Sequence, residues 1–358
     1  MWLFGKYKDL FILFIPVWII WIVLFLLPNS FLQNDVPLWV WAVFILGIDV
    51  THVWSTLFRT YLDKEEFKNH KTVLILAPII AFILLFGIAR EAITYFWRVL
   101  AYLAVFHFMK QQYGFLALYT AKAKIKQHHR IFKDKWVLYF SMLYPVLFWH
   151  LSDRNFVWFV DGDFLTTTFQ FSWRIISESV YWLTMIGWLI EEILLVQKKV
   201  NTLSYGRVLW LITTLFNWYL GIVYFNSDIA FTLTNVVAHG LPYLALVIFY
   251  QIKKNRFKGF LTQKKMSWIV ISIVTFSLLL AFTEEYFWDM LINREKDSFF
   301  TSIVNYPMES VVNSSWQIIA LVLLSLPQVT HYILDGFIWK MNDSNPHLKH
   351  LLISDKNG

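Results

Sequence analysis

Apolar residues run through this chain in long unbroken blocks, separated by short polar segments. A helix that crosses a bilayer needs about 20 mostly apolar residues. By that rule the blocks predict about ten transmembrane helices. They are Leu10–Leu27, Val36–Tyr61, Thr72–Ile88, Ala92–Thr120, Trp136–His150, Val180–Val196, Val208–Phe225, Ile229–Gln251, Trp268–Phe282 and Val312–Trp339. The predicted fold class is all-α: a polytopic transmembrane helical bundle, one integral membrane domain over residues 1–358. The first block follows Lys6 and Lys8 like a signal sequence. No small-x-small cleavage pattern follows it, so it is expected to stay as a first helix.

The polar segments alternate in charge. One set carries Lys6 and Lys8; Lys64, Lys68 and Lys71; Lys122, Lys124, Lys126, Arg130, Lys133 and Lys135; Lys198, Lys199 and Arg207; Lys253, Lys254, Arg256, Lys258, Lys264 and Lys265; and Lys340, Lys349 and Lys356. That is most of the 31 basic residues. The other set holds Arg90, Arg154, Arg174, Arg294 and Lys296 beside Asp35, Asp153, Asp161, Asp163, Asp228, Glu284, Glu285 and Asp289. Basic loops stay cytoplasmic. The alternation therefore predicts an even number of spans with both termini cytoplasmic, in a multi-pass membrane protein. Two external loops, Leu151–Trp173 and Thr283–Val311, are long enough to cap the bundle or line an entrance.

Composition narrows the chemistry. The chain is 58% hydrophobic and 15% charged, against about 45–50% and 25% in a soluble domain. A soluble enzyme and a disordered chain are excluded. The net charge of +7 is what basic cytoplasmic loops supply, so no nucleic-acid partner is implied. Cysteine is absent, which removes thiolate catalysis, iron–sulfur clusters and Cys-ligated zinc. A metal here has only histidine, carboxylate and amide ligands.

Ionisable groups inside spans cost about 2.5–3.5 kcal/mol each, so those present are expected to face inward. Asp49, His52, Thr56, Arg59 and Asp63 share one stripe of the second span. The fourth carries His107 and Gln111, the eighth Thr232, Asn235 and His239, the tenth Gln317, Gln328, His331 and Asp335. All four histidines sit on even-numbered spans, roughly eight to fourteen residues from the cytoplasmic end, a spread of one to two turns. They are expected to share one layer. His52, His107, His239 and His331 are the predicted metal ligands, with Asp49, Asp335 and Gln111 completing or supporting the set. Tyr113, Tyr243 and Tyr332 are placed to orient a substrate or relay protons. The plainer alternative is that each histidine bridges helices by hydrogen bonding. His70, His128, His129, His347 and His350 fall in basic segments and are read as solvated.

Intramembrane histidines with acidic partners resemble the membrane desaturase and hydroxylase superfamily, although no intramembrane pair here has its His-x-x-x-His or His-x-x-His-His spacing. Four isolated intramembrane histidines on separate helices, His52, His107, His239 and His331, also look like the Brp/Blh family of bacterial carotene-cleaving oxygenases. That resemblance implies iron as cofactor, dioxygen chemistry and a hydrophobic lipid-like substrate. The leading expectation is a metal-dependent membrane oxidoreductase acting on a lipid or isoprenoid within the lipid bilayer, with a separate electron donor. The alternatives are a haem or quinone electron-transfer protein, a proton-coupled transporter and a non-enzymatic membrane subunit.

Overall fold

A computed structural model describes residues 1–152, 157–165, 172–198, 204–303 and 314–353. Asp153, Arg154, Lys199, Lys356 and parts of both long loops lie outside the described residues. Each of the ten apolar blocks contains a long helix: α1 Lys6–Leu26, α2 Leu38–Arg59, α3 Lys64–Glu91, α4 Ile93–Lys122, α5 His128–Leu151, α6 Trp173–Gln197, α7 Tyr205–Tyr224, α8 Asp228–Phe257, α9 Gln263–Asn293 and α10 Trp316–Ile338. No strand occurs among the described residues. Eight of these helices are long and apolar enough to cross a membrane, which marks the chain as an integral membrane protein. The other two are α4, with its polar run from His107 to Gln112, and α5, with its basic start.

The helices fall into two compact units. The first takes in Met1–Val36 and Val105–Pro242, the second Pro37–Ala104 and Tyr243–Leu351. Helices α4 and α8 each supply residues to both.

In the first unit, α5 packs on α6 and α7. Arg207 on α7 is fully buried and pairs with Asp134 on α5 and Glu192 on α6. Arg130 joins Glu192 at 2.7 Å, and Trp188 Nε1 donates to Asp134 at 3.0 Å. The loop-charge pattern leaves Arg130 and Arg207 in water. The structure corrects this, because carboxylates on adjacent helices neutralise both guanidinium groups inside the protein. Removing one partner of such a network costs about 3–5 kcal/mol. Trp18 and Trp21 of α1 donate to Thr213 and Asn217 of α7, both at 3.1 Å. A Cβ at Gly221 would stand 2.5 Å from Thr234 Oγ1, so α7 needs glycine there to approach α8. Beyond α5, Asp163 gathers the backbone N–H groups of Trp158, Phe159 and Val160. Burial pushes its carboxyl group above the ordinary carboxylate value, against the pull of those donors.

In the second unit, α10 packs along α3 and α9 along α2. Asp63 caps α3 by accepting from the N–H groups of Glu65 and Glu66. Arg59, at the end of α2, is 1% exposed. It pairs with Glu66, donates to Ile338 O at 2.7 Å and lies between the rings of Tyr250 and Trp339. Lys254 reaches Asp63 at 2.7 Å. His70 belongs to this cluster: it is 8% exposed and its Nε2 meets Asn345 Oδ1 at 3.0 Å. The expectation that His70 is solvated is thereby corrected, since its neighbours supply what water would. His128, His129, His347 and His350 are exposed, as expected.

Candidate metal centre

His52 lies on α2 and His331 on α10. Their rings meet edge to face, centroids 5.0 Å apart. Upstream of His52 the helix is π-helical over Trp41–Val50, and downstream it tightens to a 3₁₀ turn over Thr56–Arg59. Such departures from regular α-helix recur at functional sites. Thr51 Oγ1 donates to Leu46 O at 2.8 Å, in step with the widened winding.

Three side chains connect His331 to Asp335 in a row. Thr56 Oγ1 lies 2.7 Å from His331 Nδ1 and 2.9 Å from Tyr243 Oη. Tyr243 Oη donates to Asp335 Oδ1 at 2.7 Å. Each hydroxyl has a single proton, so the donor order follows by elimination. With Asp335 ionised, Tyr243 gives its proton to the carboxylate and therefore accepts from Thr56. Thr56 has then given its own proton and accepts from His331 Nδ1–H. That places the proton of His331 on Nδ1 and the lone pair on Nε2, the tautomer a metal ligand needs. Carboxylates also stand beside both rings: Asp49 Oδ1 is 3.6 Å from His52 Nδ1, and Asp335 Oδ1 is 3.8 Å from His331 Nδ1.

His107 lies on α4 and His239 on α8, and their rings also meet edge to face at 5.0 Å. Phe108 stacks on the His239 ring at 3.7 Å. The backbone of α8 is held here for a local reason. Pro242 has no N–H to give the carbonyl four residues back, Ala238 O. Gln112 Nε2 supplies it at 3.1 Å, and Gln111 Nε2 bonds the next carbonyl, His239 O, at 2.7 Å. Gln112 is itself fixed, because Thr214 Oγ1 donates to its Oε1 at 2.9 Å and Trp210 Nε1 to its backbone carbonyl at 3.0 Å.

His52, His107, His239 and His331 are exposed by 1%, 4%, 0% and 1%. Each offers one nitrogen, and these four nitrogens all lie within 4.8 Å of one another. An imidazole nitrogen sits about 2.0–2.1 Å from a bound first-row metal. Nitrogens on opposite sides of one ion are then about 4 Å apart, so the group has the size for a single ion after slight contraction. A pair of ions needs room for a separation of about 3.5–4 Å between them. Neither Asp49 nor Asp335 belongs to the converging group; both stand outside it, against Nδ1 atoms.

The remaining predicted residues are distributed as follows. Tyr243 is 1% exposed and packs on both His52 and His331. Tyr332 lies beside its neighbour His331, ring centroids 5.7 Å apart. Tyr113 turns to Tyr139 and the ammonium groups of Lys110 and Lys135. Gln111 and Asp335 act on His239 and the Thr56 row as described. Sequence reasoning passed over three residues. Thr56 was visible on the His52 stripe, four positions on, without a role. Gln112 was hidden by helical periodicity, which pairs Gln111 with His107; its signal was the donor missing at Pro242. A third, Glu284 on α9, falls among the expected external loop acids, yet it accepts from Trp54 Nε1 at 2.6 Å.

These features define a helical integral membrane protein with a buried tetra-histidine group. No protein-family model, curated protein or solved structure matches the chain.

Proposed function

We propose that this protein is a metal-dependent membrane oxidoreductase acting on a lipid or isoprenoid. The observation that carries the reading is the set of four buried imidazole nitrogens within 4.8 Å, in a chain without cysteine. His52, His107, His239 and His331 hold one transition-metal ion, with iron favoured over manganese and zinc. An all-imidazole set suits first-row metals of this kind. Iron bound there supplies redox chemistry and a place for dioxygen, as the likeness to histidine-rich membrane oxygenases implies. Haem iron has only two axial positions, and the other two imidazoles of the group would stand where its ring must lie, which weighs against haem.

The protein's own groups have distinct tasks in this reading. Thr56 keeps the proton of His331 on Nδ1. Tyr243 joins Thr56 to Asp335 and gives protons a path away from the ring. Asp49 steadies His52 through its Nδ1 face. Gln111 and Gln112 hold α8 where His239 enters the group. Tyr332 contacts substrate, which arrives sideways from the bilayer, and electrons come from a separate donor. Tyr113, turned to Tyr139, takes no part. The chain crosses the bacterial inner membrane ten times with both termini cytoplasmic, supported by ten helices at the expected positions and by the alternating loop charges.

Elemental analysis of purified protein tests the metal. One iron per chain is expected in the wild type. Near-zero transition metal in protein purified without chelators overturns the reading, and stoichiometric zinc replaces redox chemistry with hydrolysis.

A further inference from the structure

The second unit contains a cavity of about 410 Å³ at the end of α10, lined by Asn69, His70, Thr72, Val73, Phe337, Lys340, Asn342 and Ser344. Small-ligand sites span about 300–1,000 Å³. Most of the lining residues carry hydrogen-bond donors, Lys340 adds a positive charge, and no carboxylate is among the described residues that line the cavity. Backbone carbonyls that would repel an anion at the end of α10 are already engaged: Asn345 Nδ2 donates to Phe337 O and Lys340 O, both at 2.9 Å. The back wall is firm, because His70 is buried and tied to Asn345 and Glu66. The chemistry suits a phosphate group with an organic substituent.

The apolar edge says which kind. Val73 lines the cavity, and steps of three and four residues along α3 lead from it to Leu76, Ile80 and Ile83, exposed by 46%, 50% and 62%. Phe337, 42% exposed, flanks the opening. A headgroup in the cavity would have this greasy row available for its acyl chain. We propose that the cavity binds the anionic phosphate headgroup of a membrane phospholipid. Lys340 provides the charge, Asn69, Thr72, Asn342 and Ser344 provide hydrogen bonds, and the outer face of α3 takes a chain. The proposal is independent of the histidine group and of any metal.

The full-length protein, incubated with vesicles of mixed phosphatidylglycerol and phosphatidylcholine and then examined by native mass spectrometry, tests this. Selective retention of phosphatidylglycerol is expected. Lys340→Ala should cut that retention roughly fivefold, the effect of one basic residue near an anionic lipid, and Lys265→Ala at the exposed start of α9 should not. Lys340 is at the surface, so the variant is expected to fold; Ser344→Ala, expected to weaken retention less, serves if it does not. A second arm titrates inorganic phosphate and follows it by phosphorus NMR. Phosphate binding without phospholipid retention would overturn the lipid assignment. Equal retention of both lipids, or unchanged retention in Lys340→Ala and Ser344→Ala, would overturn the site.

Discussion

The second unit holds His331 by a ring nitrogen, while the first holds His239 by its backbone and ring face. Around His331 a hydroxyl row fixes which nitrogen carries the proton. Around His239, two glutamines bond successive α8 carbonyls and a phenyl ring covers the imidazole. The two arrangements solve different problems. One sets the electronic state of a ligand; the other sets the position of a helix interrupted by proline. Each unit also buries an arginine in a network of acids, Arg207 in the first and Arg59 in the second. Position is thus secured in both units, and tautomer control is built most visibly into one.

The largest effect is expected where the two halves are equivalent. His331→Gln and His239→Gln should each abolish bound metal in elemental analysis, because an amide is a poor replacement for imidazole toward a transition metal. Metal retained by one variant and lost by the other would break the equivalence.

Next in size is a purely structural change. Arg207→Leu leaves Asp134 and Glu192 buried without their shared cation and should cost about 3–5 kcal/mol, read as a lower thermal midpoint in detergent. Whatever fraction stays folded should carry metal at the wild-type ratio. Loss of metal from the folded fraction would link the network directly to the ligand group.

Thr56→Val sharpens the contrast. It removes the acceptor for His331 Nδ1–H while keeping the shape, so metal affinity should fall about 10–100-fold, as when partners of metal-bound histidines are removed. Thr56→Ser should restore it. A Thr56→Val protein with unaltered affinity would mean that the hydroxyl row does not govern the ligand.

The smallest effect belongs to the first unit. Gln112→Leu leaves Ala238 O unsatisfied and should cost about 1–3 kcal/mol of stability. In a Pro242→Ala background the helix can supply the missing N–H, and the same change should cost less. Equal costs in both backgrounds, measured as a double-mutant cycle, would separate Gln112 from the proline.

Much of the fold was legible because bilayer thickness imposes a length on apolar blocks, and all ten blocks contain helices. Histidines at matched depth were legible for a related reason, since depth follows from counting residues along a helix. Contacts between helices were not. Arg130, Arg207 and His70 look like loop residues in one dimension, and only their neighbours on other helices show why they can be buried. The tautomer of His331 was equally out of reach, because it depends on Thr56, Tyr243 and Asp335, which come from three different helices. Gln112 shows the limit of periodicity: its partner is the Ala238 carbonyl that Pro242 leaves without an N–H on another helix, not a side chain on its own stripe.

The row from His331 through Thr56 and Tyr243 to Asp335 has one more property. Every link owns a single mobile hydrogen, so no link can turn around alone without leaving two donors or two acceptors facing each other. The row behaves like a column of dominoes standing in one direction. If a proton settles on Asp335 and is donated inward, Tyr243, Thr56 and His331 must all reverse, and the His331 lone pair moves from Nε2 to Nδ1. Whether Asp335 carries its proton thereby decides which nitrogen of His331 bears the lone pair.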